Sequence, residues 1–417
     1  MKQCSTQPAV QHPGSQEPSR TTRQTFIGLA RRWLGKRSSA ELEPGVAMAH
    51  ARTGLANGHW PTVVMLVVSL LFITGLALPT VSARQEPGST RRWSVEQANA
   101  WYAQQPWLVG CNFIPSTAIN QLEMWQAETF DLPTIDRELG WAESLGFNTV
   151  RVFLHDLAYQ RDAEGFKKRL DAFLEVTAKH RIRPLLVFFD DCWNQNPRSG
   201  PQPKPVPGVH NSGWVQSPGT KVVLDPHQWP RLKTYVQDIL RSFGHDQRVL
   251  GWDLYNEPGN NQLREKSLPL VQAVFAWAWE IRPDQPLTVG LWFDCAPLNG
   301  FQLAASDIIT FHNYNDADNL RQQIRELKKH GRPVICTEYM ARTRNSRFQT
   351  HLPIFRDEKV GCYNWGLVSG KTQTIYPWGS PQGAPEPKVW FHDIFRPDGS
   401  PFDPEEVAFI RKLLKPH

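Results

Sequence analysis

From about residue 108 onward, short runs of β-branched and aromatic residues alternate with longer stretches whose apolar positions recur every three to four residues. The short runs, at 108–113, 149–154, 184–189, 249–255, 287–292, 308–314, 334–339 and 362–368, read as buried strands. The longer stretches, at about 133–146, 165–181, 229–244, 267–282, 297–305, 316–330, 347–359 and 403–414, read as amphipathic helices. Leu320, Ile324 and Leu327 form one such stripe, and Leu270, Val274 and Trp277 another. Boundary residues agree: Pro133 sits near a helix start, Asp316 precedes Ala317, and Pro404-Glu405-Glu406 puts two acids in a first turn. Eight strands alternating with eight helices predict an α/β fold, a (β/α)8 TIM barrel spanning 108–417.

Two stretches exceed what this repeat needs. Residues 190–228, after the third strand, and 369–401, after the eighth, are rich in Pro and Gly. Both long loops follow strands, so both belong to the face where such barrels carry their active sites. In the first, Trp193 and Trp214 are expected to form a semi-rigid wall over a cleft, with Trp214 touching sugars remote from the reaction centre. Glu123, Trp125 and Gln126 are expected to line that cleft from the first loop. Trp277 and Trp279, on a helix, are expected to pack.

The chemistry gathers at the strand ends. The fourth strand runs into Asn256-Glu257-Pro258, and the seventh carries Glu338. A carboxylate at the end of an apolar strand is costly unless it serves a purpose, and a pair of them is what glycoside hydrolysis requires. Structural alternatives are a helix cap for Glu257 and an arginine pair for Glu338. On the hydrolytic reading Glu257 is the acid/base and Glu338 the nucleophile, with Arg151 and Tyr314 holding Glu338 ionised and Asn256 meeting the sugar 2-hydroxyl. His312 earns a site role because Tyr314 shares its face. Asn112, Asp190 and Asp191 stand at further strand ends, the two aspartates either touching substrate or bracing their loop. Trp193, Trp292, Trp365 and Trp378 offer faces for sugar stacking.

Charge adds a leader. The net +6 is concentrated N-terminally: residues 1–83 hold eight Lys/Arg against three Glu, which leaves +1 for the rest and argues against a nucleic-acid surface. Residues 1–60 read as a basic low-complexity leader, 61–83 as a signal peptide or signal anchor, and 84–107 as linker and lead-in. The apolar run 63–78 has 16 residues, short for a span, and precedes Val81-Ser82-Ala83, a cleavage pattern. A start at Met48 and a mature end near Arg84 fit this best. The chain is then secreted or periplasmic, or membrane-anchored with an exported domain if 63–78 stays uncleaved. Cys111, Cys336 and Cys362 are expected as buried thiols, and Cys192 and Cys295 as a possible bridge. No CxxC pair or His cluster has metal-ligand spacing, so neither metal nor cofactor is expected.

Arg151, Asn256-Glu257-Pro258, His312-Asn313-Tyr314, Glu338 and Trp365, each on its own strand, together resemble glycoside hydrolase clan A, most closely family 5, the cellulase-like family. The resemblance covers roughly residues 105–415. It implies retaining double displacement on a β-linked oligo- or polysaccharide, with Arg151, Asn256, His312, Tyr314 and Trp365 around the cleaved bond. One departure stands at the third strand, where the family usually has a His and this chain has Asp190-Asp191. A transglycosylase with the same residues and a non-catalytic carbohydrate-binding barrel are the alternatives. The sugar, endo or exo action, and the oligomeric state are not legible.

Overall fold

The computed structural model describes residues 91–415, so the leader, the 61–83 segment, Met48 and the cleavage point near Arg84 lie outside the described residues. Within it, eight parallel strands form a barrel: β1 Val109–Asn112, β2 Thr149–Phe153, β3 Arg183–Val187, β4 Gly251–Asp253, β5 Leu287–Thr288, β6 Ile309–His312, β7 Val334–Tyr339 and β8 Gly361–Trp365. Ladders join every neighbour from β5 round through β1 to β6. The last gap is closed by isolated bonds: Leu291 donates its N–H to the Thr310 carbonyl and accepts from His312 N, and Asp307 N donates to Leu287 O. β5 is shorter than the six-residue run in the sequence, and Gly290, which has no side chain to pack, lies just beyond it after Val289.

Each expected helix is present around the barrel. Leu132–Leu145 starts where Asp131 accepts from Thr134 N and stops at Gly146, whose φ of 94° suits a residue without Cβ. Ala317–Lys328 starts at Asp316 and buries Leu320, Ile324 and Leu327, each worth about 1.5–3 kcal/mol of transfer free energy. Pro404–Leu414 is capped by Asp403, which accepts from the N–H groups of Glu405 and Glu406. Trp277 is buried against its neighbours as expected.

Residues 84–107 hold more than a linker. Val95–Ala103 is a helix with a capping box between Ser94 and Gln97. It packs Trp93, Ala98, Trp101 and Tyr102 on Leu108, Leu185, Leu250, Ile308, Ile335 and Tyr363, the residues at the N-terminal ends of the strands. The bottom of the barrel is thereby closed, and the open end is the one carrying the strand C-termini.

The register is irregular only near that open end. Between β6 and β7 it shifts at Phe311/His312, and between β7 and β8 it shifts between Cys336 and Tyr339. Such bulges re-aim a side chain. Here the one on β7 flanks Glu338. Cys111, Cys192, Cys295, Cys336 and Cys362 are all buried free thiols, so Cys192 and Cys295 form no bridge.

Candidate active site

Arg151 organises the open end. Its guanidinium is fully buried and spends its N–H groups on four partners: Asp253 through Nε at 3.0 Å and Nη2 at 2.7 Å, Asn256 Oδ1 at 2.7 Å, Asn112 Oδ1 at 2.9 Å and Glu338 Oε1 at 2.9 Å. Burying a cation needs this degree of satisfaction. Asp253, inside β4, was not foreseen as part of the site. A charged residue in an apolar strand, like Arg151 two strands away, was the available signal.

Glu338 and Glu257 face each other from β7 and the end of β4. Oxygens of the two carboxylates and a ring nitrogen of His312 all lie within 4.8 Å of one another. Tyr314 donates its hydroxyl to Glu338 Oε2 at 2.9 Å. Burial pushes Glu338 up to about 7, the Glu257 carboxylate adds to the rise, and His312, Arg151 and Tyr314 oppose it. Two carboxylates this close do not both ionise readily, and the donors on Glu338 favour placing the first negative charge there.

Glu257 is held differently. It receives the Asn260 amide at 2.7 Å and the Cys192 thiol at 3.1 Å on Oε2, and His312 Nδ1 lies 2.9 Å from Oε1. Burial pushes His312 down to about 4, so the imidazole is neutral near pH 7 and its contacts to the carboxylates are hydrogen bonds, not ion pairs. Glu257 has a φ of 43°, a conformation that non-glycine residues seldom hold outside sites that need a side chain aimed. With Arg151 and Tyr314 already donating to Glu338, and Cys192 and Asn260 to Glu257, the cluster is furnished for organic substrate and proton transfer.

A cavity of about 410 Å3 opens over the pair, lined among others by Trp193, Asn256, Tyr314, Trp365, Trp378 and His392. Arg151, Asn256, His312, Tyr314, Trp193 and Trp365 thus meet the two glutamates in one place. Asn112 lies one layer back: its amide donates to Thr337 O at 2.8 Å and its oxygen serves Arg151. Trp292 is on the rim, its indole donating to Pro258 O at 3.0 Å.

Several expectations for the loops are corrected. Asp190 and Asp191 are buried, and each oxygen is occupied: Asp190 accepts from Cys192 N, Asn256, Gln121 and Trp214, and Asp191 from Tyr255, Gly259 N and Ser267. They brace the loop and position Asn256, leaving no oxygen turned to the cavity. Trp214 is 2% exposed, stacked edge-on to Phe153 and Trp365 and tied to Asp190 at 2.8 Å, so it is floor beneath the cleft and not a wall reaching remote sugars. Trp125 is core, Glu123 binds Lys371, and Gln126 bonds Gly200, so none of the three lines the cavity. Cys192, Asn260, His210, Asn211 and His392 belong to the site without any sequence signal, because they come from aperiodic loops.

Residues 208–371 match the family model for Cellulase (glycosyl hydrolase family 5). No curated protein matches the chain. A GH5_18 protein from Streptomyces cattleya solved with Manb1-4GlcNAc aligns at 13% identity and TM-score 0.53, over 73% of this chain and 80% of that one. The exo-beta-1,4-mannosidase Op5Man5 from Opitutaceae bacterium strain TAV5 aligns at 18% identity and TM-score 0.50, over 74% of this chain and 59% of that one. At these identities the likeness is one of fold.

Proposed function

For this chain, a retaining O-glycosyl hydrolase of clan A most like family 5, we propose that Glu338 is the nucleophile and Glu257 the acid/base in cleavage of a β-linked glycan. The observation that carries this is the spacing of the two carboxylates, within 4.8 Å by their nearest oxygens. That is near the ~5–5.5 Å between carboxyl groups of retaining enzymes and short of the ~6.5–9.5 Å an inverting enzyme needs for its water.

In the first step Glu338 bonds to the anomeric carbon as the bond to the leaving oxygen breaks, and Glu257 gives that oxygen its proton. In the second, water adds to the anomeric carbon, Glu257 takes a proton from it, and Glu338 leaves as carboxylate. Arg151 and Tyr314 stabilise Glu338 as an anion at the start and end of this cycle. The neutral His312 orients Glu257 without competing for its proton. Asn256 lines the cavity with its oxygen taken by Arg151 and its amide donating to Asp190 at 2.9 Å, and it would meet the sugar 2-hydroxyl by exchanging its weak 3.4 Å contact to the Cys192 sulfur. Trp365 supplies an apolar face for the ring.

The domain is read as exported, on the apolar 63–78 run and the small residues after it. Among the described residues no helix is long and apolar enough to cross a membrane. N-terminal sequencing of the native protein tests export: a start near residue 84 supports it, and a mature chain that keeps 63–78 speaks for an anchor.

The substrate panel should begin with aryl β-mannosides, given the ligand of the Streptomyces cattleya neighbour and the activity named for Op5Man5, followed by β-glucosides, β-xylosides and β-galactosides. Proton NMR of the first-formed sugar from the full chain should show the β-anomer. No turnover of any β-glycoside, or an α-anomer appearing first, would reject the proposal.

A further inference from the structure

The long loops after β3 and β8 are locked together across one side of the barrel mouth. Gln373 donates to the carbonyls of Val206 at 2.7 Å and Val209 at 3.1 Å, while Gly208 N donates to Gln373 Oε1 at 3.0 Å. Asn211 N donates to Thr372 O at 2.8 Å, Gly383 N to Pro207 O at 2.7 Å, and His210 Nδ1 to Tyr376 O at 2.7 Å. The contact is close enough that a Cβ on Gly208, at φ 80°, would stand 2.5 Å from Ala384 N. The Gly370–Lys371 backbone in turn lies on Ser116 after β1, with Lys371 N donating to Ser116 O at 3.0 Å. The sector of the mouth above β1, β2 and β8 is therefore crossed by the joined loops, which border a second cavity of about 340 Å3 that shares Asn211, Trp214 and Trp365 with the one over the glutamates. In the opposite sector, past Glu257, the segment after β5 leaves Leu291, Trp292 and Phe293 partly exposed.

The closed end is also furnished. His392 Nδ1 lies 2.6 Å from Met340 O, and a carbonyl can only accept, so the ring proton is on Nδ1 and Nε2 is a bare acceptor. Burial holds this imidazole well below the usual range, which keeps it neutral. Nε2 of His392 and Oδ1 of Asn211 are both buried and lack a hydrogen-bond partner among the described residues, and both residues line the cavity over the glutamates. Two unpaired buried acceptors are costly unless a ligand brings donors to them.

We propose that the β3 and β8 loops make the pocket a blind one that admits a single terminal sugar from its non-reducing end, with Asn211 and His392 accepting hydrogen bonds from that sugar's hydroxyls. The inference rests on the hydrolase reading above. The proton from Glu257 goes to the leaving oxygen, so the departing part of the substrate lies on Glu257's side, toward Trp292. The ring's far edge, where a longer glycan would continue, then points away from Glu257 and into the interlocked loops.

The test uses the full chain on reducing-end-labelled β-1,4-mannotetraose and cellotetraose, alongside dye-crosslinked galactomannan and cellulose. Expected are a free monosaccharide and a labelled trisaccharide as the first products, and no soluble dyed fragments. Methylating the 4-hydroxyl of the non-reducing terminal sugar should lower kcat/KM at least about tenfold, the effect of ~1.4 kcal/mol, by clash and loss of a donor at the closed end. Labelled mono- or disaccharide as first product, dyed fragments, or equal cleavage of the capped substrate would overturn the blind pocket while leaving the hydrolase reading intact. Failure to cleave these and every aryl β-glycoside would instead sink the hydrolase reading, and this inference with it.

Discussion

Arg151 meets Glu338 at 2.9 Å where the arginine side chain is wholly buried and the glutamate nearly so, and the same guanidinium is held from behind by Asp253 at 2.7 Å. The proposed nucleophile is thus tied through one side chain to an anion that no solvent reaches. Removing Arg151 leaves Asp253 without its counter-charge. Arg151→Ala should cost about 3–5 kcal/mol of stability, read as a lower denaturation midpoint, together with a large loss of turnover. Arg151→Lys keeps the charge but cannot bridge four partners, so it should recover more stability than activity. Equal stability of wild type and Arg151→Ala would show that this network is not what holds the mouth together.

The carboxylate pair makes a pH prediction. Glu338 is raised to about 7 chiefly by burial, with Glu257's negative charge contributing to the rise. With the first charge on Glu338, this repulsion falls on the loss of the pair's second proton, the one Glu257 gives to the leaving oxygen, and it sets the basic limb of kcat/KM. In Glu257→Gln there is no such proton to lose. With an aryl glycoside whose leaving group needs no protonation, the acid limb from Glu338 should remain and the basic limb should vanish. kcat/KM is the right quantity because it reports the first displacement and not the water step. A basic limb that persists in Glu257→Gln would show that it does not arise from this carboxyl.

Trp214 separates what the sequence reading anticipated from what the fold imposes. Its indole is 2% exposed and bonded to Asp190, so Trp214→Ala should destabilise the protein by about 3–5 kcal/mol and reduce kcat/KM alike on short and long substrates. A loss confined to long oligosaccharides would return it to the role of a remote sugar contact.

That contrast has a physical origin. Strands and helices write their burial into a period, so the eight barrel strands, Arg151, the two glutamates and the Tyr314 that shares a face with His312 were all legible from spacing. The loops at 190–228 and 369–401 have no period. Which tryptophan lies down and which faces the cavity depends on bonds such as Gln373 to Val206 that join residues far apart in the chain. Asp190 and Asp191 look the same as substrate contacts and as braces in sequence, and only the count of donors around them tells the two apart. Asn211 and His392 carry no motif at all.

The assignment of roles is tested most directly by azide and the two alanine variants on a β-configured aryl glycoside. In Glu338→Ala azide replaces the missing nucleophile, and turnover, down on the order of 10^6-fold without it, should partly return with an α-glycosyl azide as product. In Glu257→Ala the glycosyl-enzyme still forms, azide captures it without base assistance, and the product should be the β-glycosyl azide. Opposite configurations in this order are what the account predicts. The reverse order would exchange the two roles, and wild-type turnover in both variants without azide would contradict the site altogether.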